Sequence, residues 1–308
     1  MIKCCFRLCL VWLLGLGIVY SSVIEVAKDT TPALELPKTG SWTFSGLVSN
    51  EAGERYGYFF QMQKQGRHFH SKTALIDGQT NKLVFYYEGS EDITSDNNLN
   101  WQVGRSYIKY NLITDSWVFG VKSPDKKGFN FKVDMLKLVN SDIDTLALRP
   151  GIKLQTLQTS RLTGHIKVDD KAHDEFVTSN KSWFGKLWFL NDENSNHEIK
   201  TTFCRLADDK SFYSAYLDEE DATSGFVTGF RNEVGQRVKS SQFVSIKSLN
   251  DDQFLLNLSW PKMHMTLSNT LSGQEKTDLM AGFSKDRFKD FCFVTAQSFE
   301  KTSDTVTS

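Results

Sequence analysis

The sequence predicts an all-β protein made of two domains of antiparallel strands. From Trp42 to Phe299, short runs of alternating apolar and polar residues follow one another, and the repeating apolar positions are rich in aromatic side chains. A period of two places each apolar set on one face of a pleated sheet, so that one face is buried and the other is wet. Many such strands joined by short turns must close into barrels or stack as sandwiches, because open sheet edges promote aggregation.

Length and composition agree with this fold class. The chain has 308 residues, which exceeds the usual single domain of about 100 to 150 residues, so two domains are expected. Aromatic residues make up 13% of the chain, which suits β-structure with large apolar interiors. The net charge of −1 gives no basic surface for nucleic acid. Since no glycine-rich phosphate loop or zinc-ribbon spacing occurs, we expect no cofactor, no metal and no nucleic-acid partner.

Residues 1–22 have the composition of a secretory signal peptide. Lys3 and Arg7 accompany an apolar run over residues 8–19, and Ser21 and Ser22 follow it. We therefore expect cleavage near residue 22 and export, to the periplasm or out of the cell. The alternative is an uncleaved signal, which would be the chain's only association with a membrane.

The strand candidates fall into two groups separated by a stretch of different character. The first group is 41–49, 56–65, 68–77, 82–88, 99–110, 115–121 and 128–138. The second is 162–169, 174–179, 183–190, 197–207, 211–217, 224–231, 236–248, 252–260, 262–270 and 288–299, with a short helix or a loop in 272–290. Between the groups, the Arg149-Pro150-Gly151 break predicts a linker.

These groups set the predicted domain boundaries. The prediction is a signal peptide at 1–22, an N-terminal arm at 23–40, a first barrel at 41–140, a linker at 141–160, a second barrel at 161–299 and a disordered tail at 300–308.

Two cysteines, Cys204 and Cys292, remain once the signal is removed. An exported chain with two cysteines permits one disulfide, and two buried free thiols are the alternative. Barrel closure brings the last strand of the second domain back toward its early strands. If the two cysteines are neighbours, a bond across a loop of about 90 residues stabilises the fold by at most about 4 kcal/mol.

Five short segments carry a family resemblance, and they occur in order along the mature chain. They are residues 53–61 (GERYGYFFQ), His70 with 74–77 (ALID), 162–165 (LTGH), 182–185 (SWFG) and 260–267 (WPKMHMTL). Together they resemble the lipocalin-like family that includes carotenoid 1,2-hydratase, also called hydroxyneurosporene synthase, and the AttH proteins. The resemblance implies two lipocalin-like barrels in tandem.

The resemblance also implies hydration of an isoprenoid double bond. In that reaction a protein acid protonates an alkene carbon and water traps the cation, which requires a carboxylic acid kept protonated by an apolar pocket. The family usually has an acidic residue, often with a histidine, after the tryptophan that corresponds to Trp183, whereas this chain has Lys186 in that stretch. A lysine is a poor proton donor to carbon. The leading prediction is therefore binding of an apolar isoprenoid or acyl ligand, and a hydratase or related lyase is the alternative.

Candidate site residues follow from these hypotheses. For a hydratase, the candidate acids are Asp218 and Asp77, with His70 facing Asp77 at a barrel mouth. Each acid has a structural alternative, because Asp218 begins an acidic turn and Asp77 precedes Gly78 in an Asp-Gly turn.

For a binding protein, the candidate ligand wall is aromatic: Tyr58, Phe60, Trp183, Trp188, Tyr213 and Tyr216. Core packing is the alternative for the four that lie in the second domain. A third hypothesis is a structural or interaction protein without catalytic activity, whose barrels are filled by Phe and Tyr.

Overall fold

A computed structural model describes residues 37–94, 99–122, 125–135, 144–159, 161–168, 174–180, 182–190, 197–206, 211–217, 224–230, 237–241, 244–258, 262–274, 278–284 and 290–299. Regular structure in these ranges is entirely antiparallel β-strand, which confirms the predicted fold class. Accordingly, these ranges contain no helix long and apolar enough to cross a bilayer.

The strands of the N-terminal half are β1 (Thr39–Ser49), β2 (Arg55–Gln65), β3 (His68–Asp77), β4 (Lys82–Asp92), β5 (Asn100–Val103), β6 (Ser106–Asn111), β7 (Ser116–Lys122), β8 (Gly128–Asp134), β9 (Asp144–Arg149), β10 (Ile152–Thr159), β11 (Arg161–Lys167), β12 (Glu175–Ser179) and β13 (Ser182–Phe189). Those of the C-terminal half are β14 (His197–Arg205), β15 (Ser211–Leu217), β16 (Ser224–Phe230), β17 (Arg237–Ser241), β18 (Val244–Asn250), β19 (Gln253–Leu258), β20 (Met263–Ser268), β21 (Leu279–Phe283) and β22 (Phe291–Phe299).

Ten strands of the first sheet form a nearly closed barrel, which we call the first barrel. Their order is β4-β3-β2-β1-β12-β11-β8-β7-β6-β5. The two end strands, β4 and β5, lie side by side. At the turn after β5, the Gly104 N–H donates to the Glu91 carboxylate and the Arg105 N–H donates to the Tyr87 hydroxyl, each at 3.0 Å. Alternate residues of these strands point inward and form the first hydrophobic core.

Strands β9, β10 and β13 continue the first sheet from β1. Strand β13 pairs with β1 over Gly40–Ser45, β10 pairs with β13, and β9 pairs with β10. A second sheet has the order β17-β16-β15-β14-β22-β21, and a third has the order β18-β19-β20. A bridge between Leu267 and Ser284 connects the last two sheets.

Two further hydrophobic cores lie between these sheets. The second core contains residues from the outer face of β2 and β3, from β9, β10 and β13, and from the second sheet. In this core the Phe291 ring lies against Gly57, where an added Cβ would approach the ring to within 2.4 Å. The third core lies between the second and third sheets and contains Cys204 and Cys292. This arrangement fits two barrels in tandem.

The strands differ from the predicted segments in several places. Residues 144–149 and 152–159, which were assigned to the linker, are strands β9 and β10. Pro150 and Gly151 form the turn between them, since proline fixes φ and Gly151 adopts a φ of +85°. A Pro-Gly pair within a hairpin was therefore interpreted as a domain boundary.

Strands β11 and β12 were expected to begin the second barrel, but they belong to the first sheet. Strand β11 pairs with β8, and β12 pairs with β11 and, through Ser49, with β1. Alternation predicts that a strand exists, but it does not identify the partner strand.

Three strand predictions also change. The candidate at 99–110 is a hairpin, because Gly104 turns the chain at a φ of +55°. The candidate at 236–248 is divided into β17 and β18, and 272–290 contains β21 rather than only a helix or a loop. The predicted signal peptide, the arm up to residue 36 and the tail lie outside the described residues, while Thr39 and Gly40 of the predicted arm belong to β1.

The Cys204–Cys292 disulfide joins adjacent strands of the second sheet. The two cysteines face each other in the register of β14 and β22, and their Cα atoms are 4.2 Å apart. The bond spans 88 residues of sequence and lies in the third core. It joins β22, the last strand in chain order, to β14, the first strand of this sheet in chain order.

Removing this disulfide is expected to lower the free energy of unfolding by up to about 4 kcal/mol, because the unfolded chain regains the entropy of an open loop. The test is urea unfolding of the Cys204→Ala/Cys292→Ala variant. A reducing agent should destabilise the wild-type chain in the same direction and leave the variant unchanged. Equal stability of the oxidised wild-type chain and the variant would contradict the prediction.

Candidate ligand site

The predicted site residues lie in separate parts of the structure. Tyr58 and Phe60 face the interior of the first barrel, whereas Trp183 and Tyr213 lie in the second core. Trp188 lies at one end of the first barrel. His70 and Asp77 are on β3, the side chain of Tyr216 on β15 lies outside the described part of the structure, and so does the whole of Asp218.

Asp77 stabilises the turn between β3 and β4. Its carboxylate accepts hydrogen bonds from the Gln79 N–H at 2.7 Å and from the Thr80 hydroxyl at 2.8 Å. The register pairs Asp77 with Tyr56, and the histidine that was expected to face it lies seven residues earlier on the same strand. The structural alternative for Asp77, an Asp-Gly turn, therefore accounts for its position.

His70 lies on the outer face of the first barrel and is paired with Glu88. Its Nε2 lies 2.6 Å from Glu88 Oε1, and the Tyr86 hydroxyl donates to the other carboxylate oxygen. Lys72, on the same face of β3, forms an ion pair with Asp278 at 3.5 Å. No group of three or more His, Cys, Asp or Glu in the described ranges is arranged to hold a metal ion.

The electrostatics of Glu88 do not suit a general acid. Burial alone raises the pKa of Glu88, but the hydrogen bonds from His70 and Tyr86 and the nearby charge of Lys72 together hold this pKa below its usual value. A proton donor to an alkene needs a carboxyl group that stays protonated at neutral pH. Glu88 is shifted in the opposite direction, so this cluster stabilises the surface of the barrel and does not supply the expected acid.

Aromatic rings fill the middle of the first barrel. Phe44 and Phe119 are stacked with ring centroids 4.2 Å apart, and Phe129 and Phe131 are stacked at 4.6 Å. Tyr58 packs edge-on against Phe131 at 5.0 Å, and its fully buried hydroxyl has a pKa raised by burial. The predicted wall residues Tyr58 and Phe60 are thus packed as core residues at this level of the barrel.

The end of the first barrel where β1 begins has a different composition. Two rows of residues cross strands β3, β2, β1, β13 and β10 at this end. The outer row is Phe69, Lys64, Gly40, Trp188 and Lys153, and the next row inward is Ser71, Met62, Trp42, Lys186 and Gln155. Since residues that face each other in register share one side of a sheet, and Trp42, Met62 and Phe69 are in the first core, both rows face the interior.

Two lysines of these rows are deeply buried. Lys186 is 1% exposed, and its Nζ lies 4.8 Å from the centre of the Trp188 ring. Lys64 is 5% exposed, and its Nζ lies 5.8 Å from the centre of the Phe69 ring. Lysine is rarely this buried, and aromatic faces offer its ammonium a favourable cation–π contact.

Buried hydrogen-bond donors without a partner among the described residues accompany these lysines. They include the indole N–H groups of Trp42, Trp101 and Trp188 and the hydroxyl of Ser71. The Trp101 ring packs at a tilt against Trp42, with centroids 4.7 Å apart, and against Phe69 at 5.2 Å, so it belongs to the same end of the barrel. We call Trp42, Lys64, Ser71, Trp101, Lys186 and Trp188 the donor end.

Most buried polar groups in native proteins have a hydrogen-bond partner, so this set requires an explanation. An indole N–H can only donate, which means that its partner must be an acceptor. A bound molecule with oxygen atoms, or ordered water, supplies such acceptors. The donor end is therefore the candidate ligand site.

Trp183 and Tyr213 belong instead to a polar network across the second core. The Ser41 hydroxyl donates to Gln297 Oε1 at 2.6 Å, and Gln297 Nε2 donates to the Thr201 hydroxyl at 3.4 Å. The buried Tyr213 hydroxyl is hydrogen-bonded to Thr201 and Thr43. Burial raises the pKa of Tyr213 to about 12, although these two bonds act to lower it. Trp183 lies 6.2 Å from the Tyr213 ring, in the same core.

Sequence reasoning missed most of the donor end. Trp42, Lys64, Ser71 and Trp101 were not among the predicted site residues, and Lys186 was noted only because it occurs where the family has an acid. One signal was available: Lys186 is a lone cation in the apolar run Trp183–Phe189. Its burial could not be recognised, because that depends on β13 being covered on both faces.

Comparison with known proteins identifies the fold. No protein-family model matches the sequence, and no curated protein matches it. Among solved structures, kievitone hydratase from Nectria haematococca is similar, with a TM-score of 0.60 and 12% identity over 88% of this chain and 93% of that chain. A candidate AttH from Nitrosomonas europaea is also similar, with a TM-score of 0.57 and 13% identity over 87% of this chain and 97% of that chain. The lipocalin-like resemblance is thus confirmed at the level of the fold.

Replacing Tyr213 with Phe is expected to lower the free energy of unfolding at pH 7 by about 1 to 3 kcal/mol, because two buried hydrogen bonds are lost. This cost should shrink at alkaline pH. The folded-state pKa of Tyr213 is raised from 10.0 to about 12, so its contribution is complete below pH 10 and is lost as the pH rises through 12. Urea unfolding at several pH values between 8 and 12 measures the difference.

Thr201→Val is the matched control for Tyr213→Phe. It removes one hydrogen-bond partner of Tyr213 and keeps the phenol. The variant should therefore be less stable than the wild type at pH 7. Between pH 10 and 12 it should lose about as much free energy of unfolding as the wild type does. A constant difference between the wild type and Tyr213→Phe from pH 8 to 12 would contradict the assignment.

Proposed function

We propose that the protein is exported and binds an apolar, oxygen-containing ligand, such as an isoprenoid or an acyl compound, at the donor end of the first barrel. The observation that carries this proposal is the set of buried indole N–H groups of Trp42, Trp101 and Trp188. Their faces supply apolar contact area, and their N–H groups require acceptors. Ligand sites in proteins combine the same two features, a largely apolar lining and a few placed polar groups.

Binding is preferred to hydration because of the residues available as acids. Asp77 accepts hydrogen bonds from Gln79 and Thr80 in an open turn, and the pKa of Glu88 is lowered. Neither carboxyl group lies in an apolar pocket. The likeness to kievitone hydratase supports the shared fold, and its low identity carries no residue role to this chain. Asp218 lies outside the described residues.

Export is supported by two features. Residues 1–22 have the composition of a secretory signal, and Cys204 and Cys292 form a disulfide. Disulfides persist in oxidising compartments and are rare in a reducing cytosol.

Ligand binding is tested with protein purified from an exporting host without organic solvent. Native mass spectrometry is expected to detect a small apolar ligand in part of the sample. After extraction, titration with farnesol should change the tryptophan fluorescence and add one farnesol per chain. Trp101→Phe keeps an aromatic ring and removes one donor, so it should weaken farnesol binding by roughly two- to tenfold.

Tyr107→Phe is the matched control. Tyr107 lies on β6 between Ser106 and Ile108, which face the interior, so this substitution removes a hydroxyl from the outer face of the barrel. It should leave farnesol binding unchanged. Two results would contradict the proposal. One is the absence of both a co-purified ligand and farnesol binding, which would favour barrels filled by their own side chains. The other is an equal loss of affinity in both variants.

The export proposal predicts a shortened mature chain. Expression with its own N-terminus in an exporting host should yield periplasmic or extracellular protein whose intact mass lacks the first 21 or 22 residues, with no free thiol at Cys204 or Cys292. A full-length chain in the cytosol with two titratable thiols would contradict it.

A further inference from the structure

The turn between β6 and β7 presents two adjacent apolar side chains to solvent. Leu112 is 62% exposed and Ile113 is 95% exposed. Among the described residues, the other large apolar side chains that are exposed, Phe176, Leu190 and Leu249, are far apart along the chain. Isolated exposed apolar residues need no explanation, but an adjacent pair at the tip of a hairpin concentrates apolar surface at one protruding point.

Hydrogen bonds hold this turn in the conformation that exposes the pair. The Asn111 side-chain oxygen accepts from the Ile113 N–H at 3.0 Å and from the Thr114 N–H at 3.2 Å. The Tyr110 hydroxyl donates to the Asp115 carboxylate at 2.5 Å. Both apolar side chains are therefore kept in water and do not fold back against the barrel.

The turn lies at the same end of the first barrel as the candidate ligand site. Asn100 of β5 pairs with Lys109 of β6, and the Tyr110 N–H donates to the Leu99 carbonyl at 2.8 Å. The end of β6 thus lies beside the start of β5, where Trp101 belongs to the donor end. The exposed pair therefore protrudes from the donor end of the barrel.

Basic side chains lie close to the turn on the outer face of the barrel. Lys109 and Lys132 face each other across β7, and both are exposed. Arg161 on β11 is exposed as well, and it pairs in register with Asp134, which forms an ion pair with Lys132 at 3.0 Å. With Asp115 of the turn, the two outward rows nearest the tip thus contain three basic and two acidic side chains. This surface is weakly positive.

We propose that the β6–β7 turn docks on a lipid bilayer, with Leu112 and Ile113 inserted among the head groups and the nearby basic side chains directed to anionic lipids. A protein partner fits less well, because a stable protein interface buries about 1,200 to 2,000 Å². Two side chains at a convex tip supply only a small part of that area. A fluid bilayer accepts such a tip without a matching surface, and apolar insertion and attraction to anionic lipids act together there.

Docking is expected to be weak and reversible. The side chains of Leu112 and Ile113 together have fewer carbons than one myristoyl chain, and a single myristoyl chain gives only marginal membrane binding. The basic side chains add an attraction to anionic lipids that salt screens. The protein therefore contacts the membrane briefly, with its donor end directed toward the lipid. This inference goes beyond the proposed function, because neither export nor ligand binding is needed for docking.

The experiment measures how the mature protein partitions onto vesicles by flotation. Vesicles of phosphatidylcholine alone are compared with equimolar vesicles of phosphatidylcholine and phosphatidylserine. The wild type is expected to bind both, and the mixed vesicles more tightly. Raising the salt concentration should remove only the preference for the mixed vesicles, because salt screens the head-group charges and leaves apolar insertion intact.

Substitutions in the turn test the residues. Ile113→Ser is expected to lower partitioning onto both kinds of vesicle by roughly tenfold, and Leu112→Ser/Ile113→Ser should lower it further, since each change removes an apolar side chain from the lipid. Leu249→Ser is the matched control, because it removes an exposed leucine from β18 in the third sheet. It should partition as the wild type does. Circular dichroism and thermal unfolding establish that each variant is folded.

The outcomes separate this inference from the proposed function. It is wrong if the wild type binds neither kind of vesicle, or if Leu112→Ser/Ile113→Ser binds both as the wild type does. A wild-type dimer that this double substitution dissociates, seen by light scattering, would assign the turn to self-association and also contradict it. Farnesol titration without vesicles is the separate test of ligand binding. The double variant should bind farnesol as the wild type does, and a wild type that docks on vesicles but binds no farnesol would overturn only the proposed function.

Discussion

The structure depends on two strands, β1 and β13, that are buried on both faces. Every residue of Ser182–Phe189 is buried, and so are the first eight residues of β1. Even-numbered positions of β13, such as Phe184, face the first core, and odd-numbered positions, such as Trp183, face the second. Because successive side chains of a strand point to opposite faces, a slip of one residue would exchange the two sets. Both cores therefore fix the same register.

On β1 the two faces differ in chemistry. Trp42 and Phe44 face the aromatic core of the barrel, whereas Ser41 and Thr43 face the second core and bind its polar network. Small hydroxyl side chains let the second sheet approach closely, and Tyr213 and Gln297 satisfy them. The two halves of the protein are thus held together by directed hydrogen bonds as well as by apolar burial.

Alternation in the sequence predicts individual strands well and their assembly poorly. Residues 68–77 and 211–217 were predicted as strands with the bounds that β3 and β15 have. The period of two depends only on local geometry, which explains this success. The partner of β11 depends on contacts with distant β8, and a Pro-Gly turn has the same composition inside a hairpin as at a boundary. These features were not accessible from one sequence.

The same limit applies to the prediction of the site residues. Aromatic residues were expected to face the interior, and they do. The residue type alone, however, does not determine in which core a side chain lies. Tyr58 entered the first core and Tyr213 the second, because parity and register decide the direction. Lys186 was visible as a cation in an apolar run, and only the pairing of β13 with β1 and β10 reveals that this cation is enclosed.

The charge of the donor end also bears on the choice between binding and hydration. Protonation of an alkene creates a carbocation, and buried positive charges destabilise it, because Coulomb interactions are stronger in a low-dielectric interior. Lys64 and Lys186 are buried at this end of the barrel, and an ammonium group at either position would oppose a developing cation. Aromatic faces would otherwise stabilise such a cation, but Trp188 and Phe69 already lie beside the two ammonium groups. A cation formed at this end would therefore be stabilised less than the aromatic faces alone would allow.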